Sequence, residues 1–256
     1  MAFAGPDSGR LACGEVGEGK LADVGEIVDA ALALLDRTGE RDLAGLGVLV
    51  NAGPTHEAID PVRYIANRST GKMGFALAAA AARRGATVTL VAGPVTLDTP
   101  AGVRRVDVES AAQMREAMLA AFPAADIAIC AAAVADYTPA APADHKLKKS
   151  REHLGAIALT ETADVLAELC AEKGGRVVVG FAAETDDLLA HAREKLRRKG
   201  ADLIVANDVS RPESTFGADT NRVALVSACG VEQLETMPLP EVADAILDAV
   251  RERVAR

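Results

Sequence analysis

LGVLVNAGPTHEAIDPVRYIANRSTGKMG, residues 46–74, decides how the rest of the chain is read. Its first five residues form a continuous apolar run of strand length, and an Ala-rich helical pattern opens near Met73. Between them lies a loop rich in Gly and hydroxyl residues. A strand, such a loop and a helix start form a ready anion site. The first N–H groups of a helix have no partner within it, and its dipole places roughly +0.5 charge there. The stretch points to a ligand that carries phosphate.

Outward from that stretch, strand and helix patterns alternate. Strands are expected over 46–50, 87–92, 104–106, 126–131, 176–181 and 201–206, with helices over 73–84, 110–121, 162–172 and 185–199. The runs VTLVA, IAICAAA, VVVGFAA and LIVA are continuously apolar, as strands buried on both faces are. The pattern is α/β: a doubly wound, mostly parallel sheet with crossover helices. A C-terminal β-hairpin is expected from 222–227 and 231–237, turning at Cys229-Gly230, with a final helix over 241–255. Residues 22–36 have helical apolar spacing, 37–45 read as a linker, and no internal repeat is evident.

Bulk properties exclude several classes. The chain has 256 residues, half of them apolar, with no Trp and few aromatics, so Ala and Val do most of the core filling. A net charge of −9 argues against a nucleic-acid partner, which needs a basic face. No apolar run approaches the ~20 residues that span a bilayer, and the N-terminus lacks a signal-peptide pattern. Cys13, Cys130, Cys170 and Cys229 form no CxxC pair and the four His are scattered, so structural zinc and a disulfide framework are not expected. The expectation is a soluble, cytoplasmic protein.

Open parallel sheets bind ligands beyond the carboxyl ends of their strands. Four expected strands are followed there by NAGPT, AAAVADY, GFAAET and ANDVS, polar or Gly-rich loops that suit a shared site better than chance turns. NRSTGKMG is neither a P-loop nor GxGxxG: Gly71-Lys72 is followed by Met73, which lacks the hydroxyl that would hold magnesium. The second strand ends in Gly93-Pro94 rather than in the acid that holds an NAD ribose. Asp136, after a buried strand, either caps a turn or positions a divalent cation against phosphates. HKLKKSR, residues 145–151, concentrates positive charge in an acidic chain after a Pro-containing, mobile-looking stretch. Such runs are usually solvated. A lysine ~4 Å from a phosphate is nevertheless worth roughly 1 kcal/mol in water and about 4 kcal/mol at an effective dielectric of about 20. A loop that closes and excludes water would raise the value of Lys146 accordingly. KLRRKG, residues 195–200, suits a helix C-terminus on structural grounds alone. Asn67 either stabilises a turn or donates its neutral amide to a substrate carboxylate or carbonyl.

NAGPTHEAIDPVRYIANRSTGKMGFALAAAAARRGATVTLVAGPV, AAAVADY, KLKK, GFAAET and ANDVS, in this order, resemble the bacterial phosphopantothenate–cysteine ligase family from Leu46 to the C-terminus. The combination is specific, although no single piece is. The resemblance implies a Rossmann-like fold and a CTP- and Mg2+-dependent ligase of coenzyme A biosynthesis. It would join 4′-phosphopantothenate to L-cysteine through an acyl-cytidylate, releasing pyrophosphate and then CMP. It also implies a homodimer. Residues 7–19, DSGRLACGEVGEG, resemble the closing segment of phosphopantothenoylcysteine decarboxylase, the usual N-terminal partner in a bifunctional protein. Residues 1–45 are then expected to be a decarboxylase remnant and linker, with 46–256 the ligase domain. The flavin would belong to the missing decarboxylase half, and Cys13, which matches its reactive cysteine, should be silent here.

By motif position, the resemblance implies that Asn67 handles the acyl intermediate and that Lys146 is the first lysine of a mobile KxKK loop. Asp136 is the aspartate of the nucleotide segment and the candidate metal ligand. Phe181, Lys195 and Lys199 match nucleotide-contacting positions. Gly53, Ser69, Gly71, Lys72, Met73 and Ala132 are candidates to bind nucleotide. Arg63, Asn67 and Ala132 are candidates to bind substrate. Thr162, Ala163, Asp164 and Val165 stand where the family usually reads Asn-Pro-Asp-Ile. Base selectivity is in doubt if the missing Asn side chain reads the cytosine. The rival reading is an NAD-dependent or nucleotide-sugar enzyme on the same fold.

Overall fold

The computed structural model describes residues 7–10, 16–20, 22–25, 27–28, 41–148, 155–184, 186–211, 214–215 and 217–254. The chain divides into two units, Met1–Asp42 and Leu43–Arg256. In the first, β1 (Asp7–Arg10) and β2 (Val16–Lys20) pair antiparallel. Ile27 N–H donates to Asp23 O at 3.0 Å, at the start of the helix expected over 22–36. The remainder of that helix and Cys13 lie outside the described residues.

The second unit is built on an eight-stranded sheet. Its parallel strands are β3 (Gly47–Ala52), β6 (Thr87–Ala92), β7 (Val103–Asp107), β8 (Ile127–Cys130), β11 (Val177–Glu184) and β12 (Leu203–Asp208). In space they run β7-β6-β3-β8-β11-β12, and β14 (Val223–Ser227) and β15 (Gly230–Gln233) extend the β12 edge antiparallel. The chain moves outward from β3 to β6 and β7, then returns to β8 and moves the other way. The reversal lies between β3 and β8, which is where doubly wound sheets bind ligands. The expected C-terminal hairpin therefore forms, but as the edge of the main sheet rather than as a separate ribbon. Apolar residues of β14 bury against both neighbouring layers, and an isolated two-stranded ribbon would have left them wet.

Alternate strand residues face two helical layers. Val48, Val50 and Ala52 of β3 share one core with α1 (Lys72–Arg83) and α5 (Leu239–Arg251). Leu49 faces the other core, with α2 (Ala111–Ala121), α3 (Val165–Ala171) and α4 (Leu188–Lys199). α5 buries Leu239, Val242, Ala243, Ile246, Leu247 and Val250 along one stripe. Each large aliphatic side chain there contributes about 1.5–3 kcal/mol relative to exposure. α2 starts on a capping box, with Ser110 accepting from Gln113 N–H and the Gln113 side chain accepting from Ser110 N–H.

Several expected boundaries move for local reasons. The helix expected from residue 162 begins at Val165. Leu159–Glu161 (β10) instead pairs with Tyr137–Pro139 (β9), and Asp164 caps the helix by accepting from Ala167 N–H. The helix expected from residue 185 begins at Leu188, because Asp187 sits in the left-handed region at φ 43° and cannot continue a helix. The last helix starts two residues early, at Leu239, with a Pro in its first turn. The long loop 53–71 also contains structure: β4 (His56–Ala58) pairs with β5 (Tyr64–Ala66), and the His56 and Tyr64 rings stack at 3.7 Å.

Candidate functional site

The polar residues buried in that long loop assemble the sheet edge. Thr55 Oγ1 accepts from Ala135 N–H at 3.0 Å, and Glu57 accepts from Ala111 N–H at 2.8 Å. Asp60 accepts from the N–H groups of Val62, Arg63 and Leu147 at 2.9, 2.9 and 3.1 Å. Buried carboxylates and hydroxyls need such partners, and here the partners are the neighbouring loops. The edge is held together from the loop that follows β3.

A cleft of about 920 Å³ opens over the β3–β8 reversal. It is lined by 67–74, 130–137, 161–166 and 181–183, by Lys195, Arg198 and Lys199 of α4, and by residues after β12. Of the four loops singled out in sequence, AAAVADY, GFAAET and ANDVS each contribute two or more lining residues, whereas NAGPT contributes only Asn51. Ser69, Gly71, Lys72, Met73, Asn67, Ala132, Asp136, Thr162, Ala163, Asp164, Val165, Phe181, Lys195 and Lys199 all line it. Gly53, Arg63 and Lys146 do not.

At one end is the N-terminus of α1. Its cap, Gly71 at φ 80°, supplies no side-chain acceptor, so the first-turn N–H groups stay open to an anion. Gly53 works from behind: a Cβ on Gly71 would lie 3.4 Å from Gly53 N, so the two glycines let the loop and helix start approach closely. Gly74 seats the helix on β3, since a Cβ there would come within 2.5 Å of Ala52 Cβ. The Lys72 ammonium donates to Gly217 O at 2.8 Å and to Asp219 at 2.7 Å. Thr215, Gly217 and Ala218 also line the cleft, so this lysine holds a wall of the site in place.

Asn67 Nδ2 donates to Ala133 O at 3.2 Å and Val134 O at 3.1 Å, which commits its amide protons to the loop after β8. The expected donation from this amide to a substrate is not available in this arrangement; Oδ1 is the atom left over. Ala132 N–H is taken by Asn51 Oδ1 at 2.8 Å. Asn51 is 1% exposed and its Nδ2 has no partner. Leaving such a group unmet costs about 1–3 kcal/mol.

The other end carries the charges. Lys195 donates to Phe181 O at 2.7 Å. Burial pushes its pKa down, opposed by the nearby Glu184 and Asp136 carboxylates. Lys199 pairs with Asp164. Thr162 donates its hydroxyl to Ala135 O at 2.6 Å, so the side chain standing in the motif's Asn position has no proton left to give a base. Cys130 lines the cleft, but burial pushes its thiol up to about 12, far from a nucleophile at neutral pH.

Arg63 and Lys146 belong to a flanking structure. The Arg63 guanidinium pairs with Asp60 and donates to Leu147 O at 3.1 Å, which fastens the basic segment at Leu147. This pairing raises the Arg63 pKa and holds the Asp60 carboxyl well below the usual range. Lys146 is exposed beside that anchor; Lys149, Ser150 and Arg151 lie outside the described residues. The lining residues not singled out in the sequence include Asn51, Arg68, Arg198 and Asn207. Asn207 lies inside the ANDVS motif and could have been found; Arg198 follows from the helical spacing with Lys195.

Gly93, at the end of β6, explains the missing ribose acid. A Cβ there would lie 1.8 Å from Pro54 O, so no acidic side chain fits. Among the described residues no group of three His, Cys, Asp or Glu gathers as a metal site, and no helix is long and apolar enough to cross a membrane.

Residues 43–254 match the model of the DNA/pantothenate metabolism flavoprotein C-terminal domain. The chain is 46% identical over 254 residues to the coenzyme A biosynthesis bifunctional protein CoaBC of Bacillus subtilis, covering 99% of this chain and 62% of that protein. It is 50% identical over 224 residues to CoaBC of Escherichia coli, covering 86% and 55%. It therefore spans a little over half the length of these relatives. A crystal structure of the C-terminal domain of CoaBC superposes with a TM-score of 0.71 at 39% identity, covering 83% of this chain and 97% of that one. With this match spanning the whole sheet and every loop of the cleft, the chain belongs to the DNA/pantothenate metabolism flavoprotein C-terminal domain family.

Proposed function

We propose that this chain is a CTP-dependent phosphopantothenate–cysteine ligase. The observation that carries the reading is the cleft at the sheet reversal. It has an open helix N-terminus at one end and Lys195, Lys199 and the 162–165 turn at the other. Its volume of about 920 Å³ suits a nucleotide beside a second substrate. The names of the CoaBC relatives support coenzyme A biosynthesis as the setting.

In this reading a carboxylate oxygen of 4′-phosphopantothenate attacks the α-phosphorus of CTP, and the bond to pyrophosphate breaks. The cysteine amine then attacks the acyl carbon: a C–N bond forms, the C–O bond to CMP breaks, and the amine gives up a proton. The protein contributes position and charge neutralisation. The α1 N-terminus holds phosphate, and Lys195, Lys199, Phe181 and the 162–165 backbone bound the nucleotide at the other end of the cleft. Because Asn67 Nδ2 is bonded to Ala133 and Val134, its role is to shape the loop against which the acyl group lies. Lys146 acts after movement of its segment toward the cleft. The Asp136 carboxylate would hold Mg2+, which when bound would neutralise phosphate charge.

The proposal includes a homodimer, a cytoplasmic setting, and a flavin-dependent decarboxylase in the part of the relatives this chain does not span. Pyrophosphate release that requires both CTP and phosphopantothenate tests the activity. Stabilisation by NAD but not by CTP with magnesium would overturn it.

A further inference from the structure

The two carboxyl oxygens of Asp60 hold different parts of the chain. Oδ1 accepts from the N–H groups of Val62 and Arg63, both at 2.9 Å, and so closes its own turn. Oδ2 reaches outward. It accepts from Leu147 N–H at 3.1 Å, across 87 residues of sequence, and from the Arg63 guanidinium, whose Nε lies at 3.1 Å. The same guanidinium donates to Leu147 O at 3.1 Å, so one ion pair takes both backbone groups of Leu147. The Asp60 side chain is fully buried, which keeps water from competing for these bonds.

The ion pair brackets a particular lysine. Ala143 N–H donates to Ile59 O at 2.9 Å, which fixes the chain a second time, just before the basic segment. Between the two held points lie Asp144, His145 and Lys146, all exposed. The peptide whose N–H meets Oδ2 is the one that joins Lys146 to Leu147. On the other side, the turn around Asp60 leads through β5 directly to Asn67 on the cleft lining. The backbone of Lys146 is thereby set in register with the cleft. With Leu147 held as a pivot, the lysine has fewer positions to give up when it turns toward a ligand.

We propose that Asp60 is a positioning residue for Lys146: through Leu147 it fixes the point from which the ammonium reaches the cleft. Asp60 does not line the cleft, so it acts through the basic segment and not on a substrate. This rests on the function proposed above, in which Lys146 serves the acyl-nucleotide step.

The test uses Asp60→Asn in the full chain. The variant keeps the shape and the Oδ1 half, and so its own turn, but sets an NH2 group against Leu147 N–H and the guanidinium. Asp60→Ser, whose shorter side chain serves only its own turn, is a second variant should the first fold poorly. Single-turnover kinetics without cysteine measures acyl-nucleotide formation from CTP and phosphopantothenate. Asp60→Asn should slow it about tenfold, as for a lost hydrogen bond to a charged group. Calorimetry should find CTP and phosphopantothenate affinities within about twofold of wild type, because the cleft itself is untouched. Added to Lys146→Gln, Asp60→Asn should slow the step by less than about twofold further, since residues that act as a unit are not additive. Hydrogen exchange read by NMR should speed up about tenfold at the Leu147 amide and stay unchanged at Val62. An unchanged Leu147 amide, a wild-type rate, or full additivity with Lys146→Gln would each overturn the proposal. So would a matching loss of phosphopantothenate affinity, which would place the effect on Arg63. A wild-type protein that forms no acyl-nucleotide fails the proposed function instead, and exchange at Leu147 then decides by itself whether Asp60 holds this backbone.

Discussion

Asn67 and Val134 are joined across the cleft mouth: the Asn67 side-chain amide donates to the Val134 carbonyl at 3.1 Å, and to Ala133 O at 3.2 Å. The loop before α1 is thereby fastened to the loop after β8, the two sides of the sheet reversal. Asn67→Asp would place a carboxylate against two carbonyls. Its turnover is expected to fall at least about tenfold, with the melting temperature down by no more than ~4 °C because the residue is exposed. An unchanged steady-state rate would refute a role for this tie in the reaction.

Lys146 lies outside the cleft, beside the Leu147 anchor. Lys146→Gln is expected to leave stability within about 0.5 kcal/mol of wild type, as for most surface changes. Formation of the acyl-nucleotide should slow about tenfold or more, while CTP affinity changes only a few-fold. Single-turnover kinetics with normal intermediate formation would count against any closure of this segment.

Asp60 carries a pH dependence whose direction follows from its partners. The Arg63 side chain, and then the N–H groups of Val62, Leu147 and Arg63, hold its folded pKa below the ordinary 3.8, with burial acting the other way. A depressed folded pKa gives stability that is present above the unfolded value and is lost as pH falls toward the folded one. Wild-type protein should therefore lose stability steadily below about pH 5, and Asp60→Asn should start lower and lose less over that range. Parallel urea midpoints for the two proteins across the acid range would contradict this.

Gly74 has no room for a side chain against β3, where a Cβ would meet Ala52 Cβ at 2.5 Å and Asn51 O at 3.0 Å. Gly74→Ala has to push α1 away from the strand, at about 1–3 kcal/mol, despite the better helix propensity of Ala. Nucleotide affinity should fall with it, because the anion-binding corner widens. A stabilised variant with normal affinity would show that the helix seat is softer than this packing requires.

Cysteine reactivity should separate by burial. Thiols at Cys130 and Cys170 are pushed up to about 12 and about 11, chiefly by desolvation, while Cys229 is exposed on the turn between β14 and β15. Iodoacetamide followed by peptide mass spectrometry at neutral pH should modify Cys229 well before the other two. Equal labelling rates would imply that the cleft opens around Cys130.

The alternation of elements, the buried parallel strands and the helix start after the Gly-rich loop were legible in residues 46–210, because periodicity and loop composition are local properties. The cleft-lining motifs were legible for the same reason: each is a short run at the end of one strand. What side chains do inside the site was not. Asn67, Lys72, Thr162 and Arg63 each look free for a ligand in sequence, yet their partners are Val134, Asp219, Ala135 and Asp60. Three of those pairs join segments from 27 to 147 residues apart, so only the folded arrangement of the sheet could bring them together. Asn51 is the converse case. Periodicity marked the end of an apolar strand, and only the fold, which brings Ala132 N–H from the loop after β8 onto Oδ1, left Nδ2 without a partner.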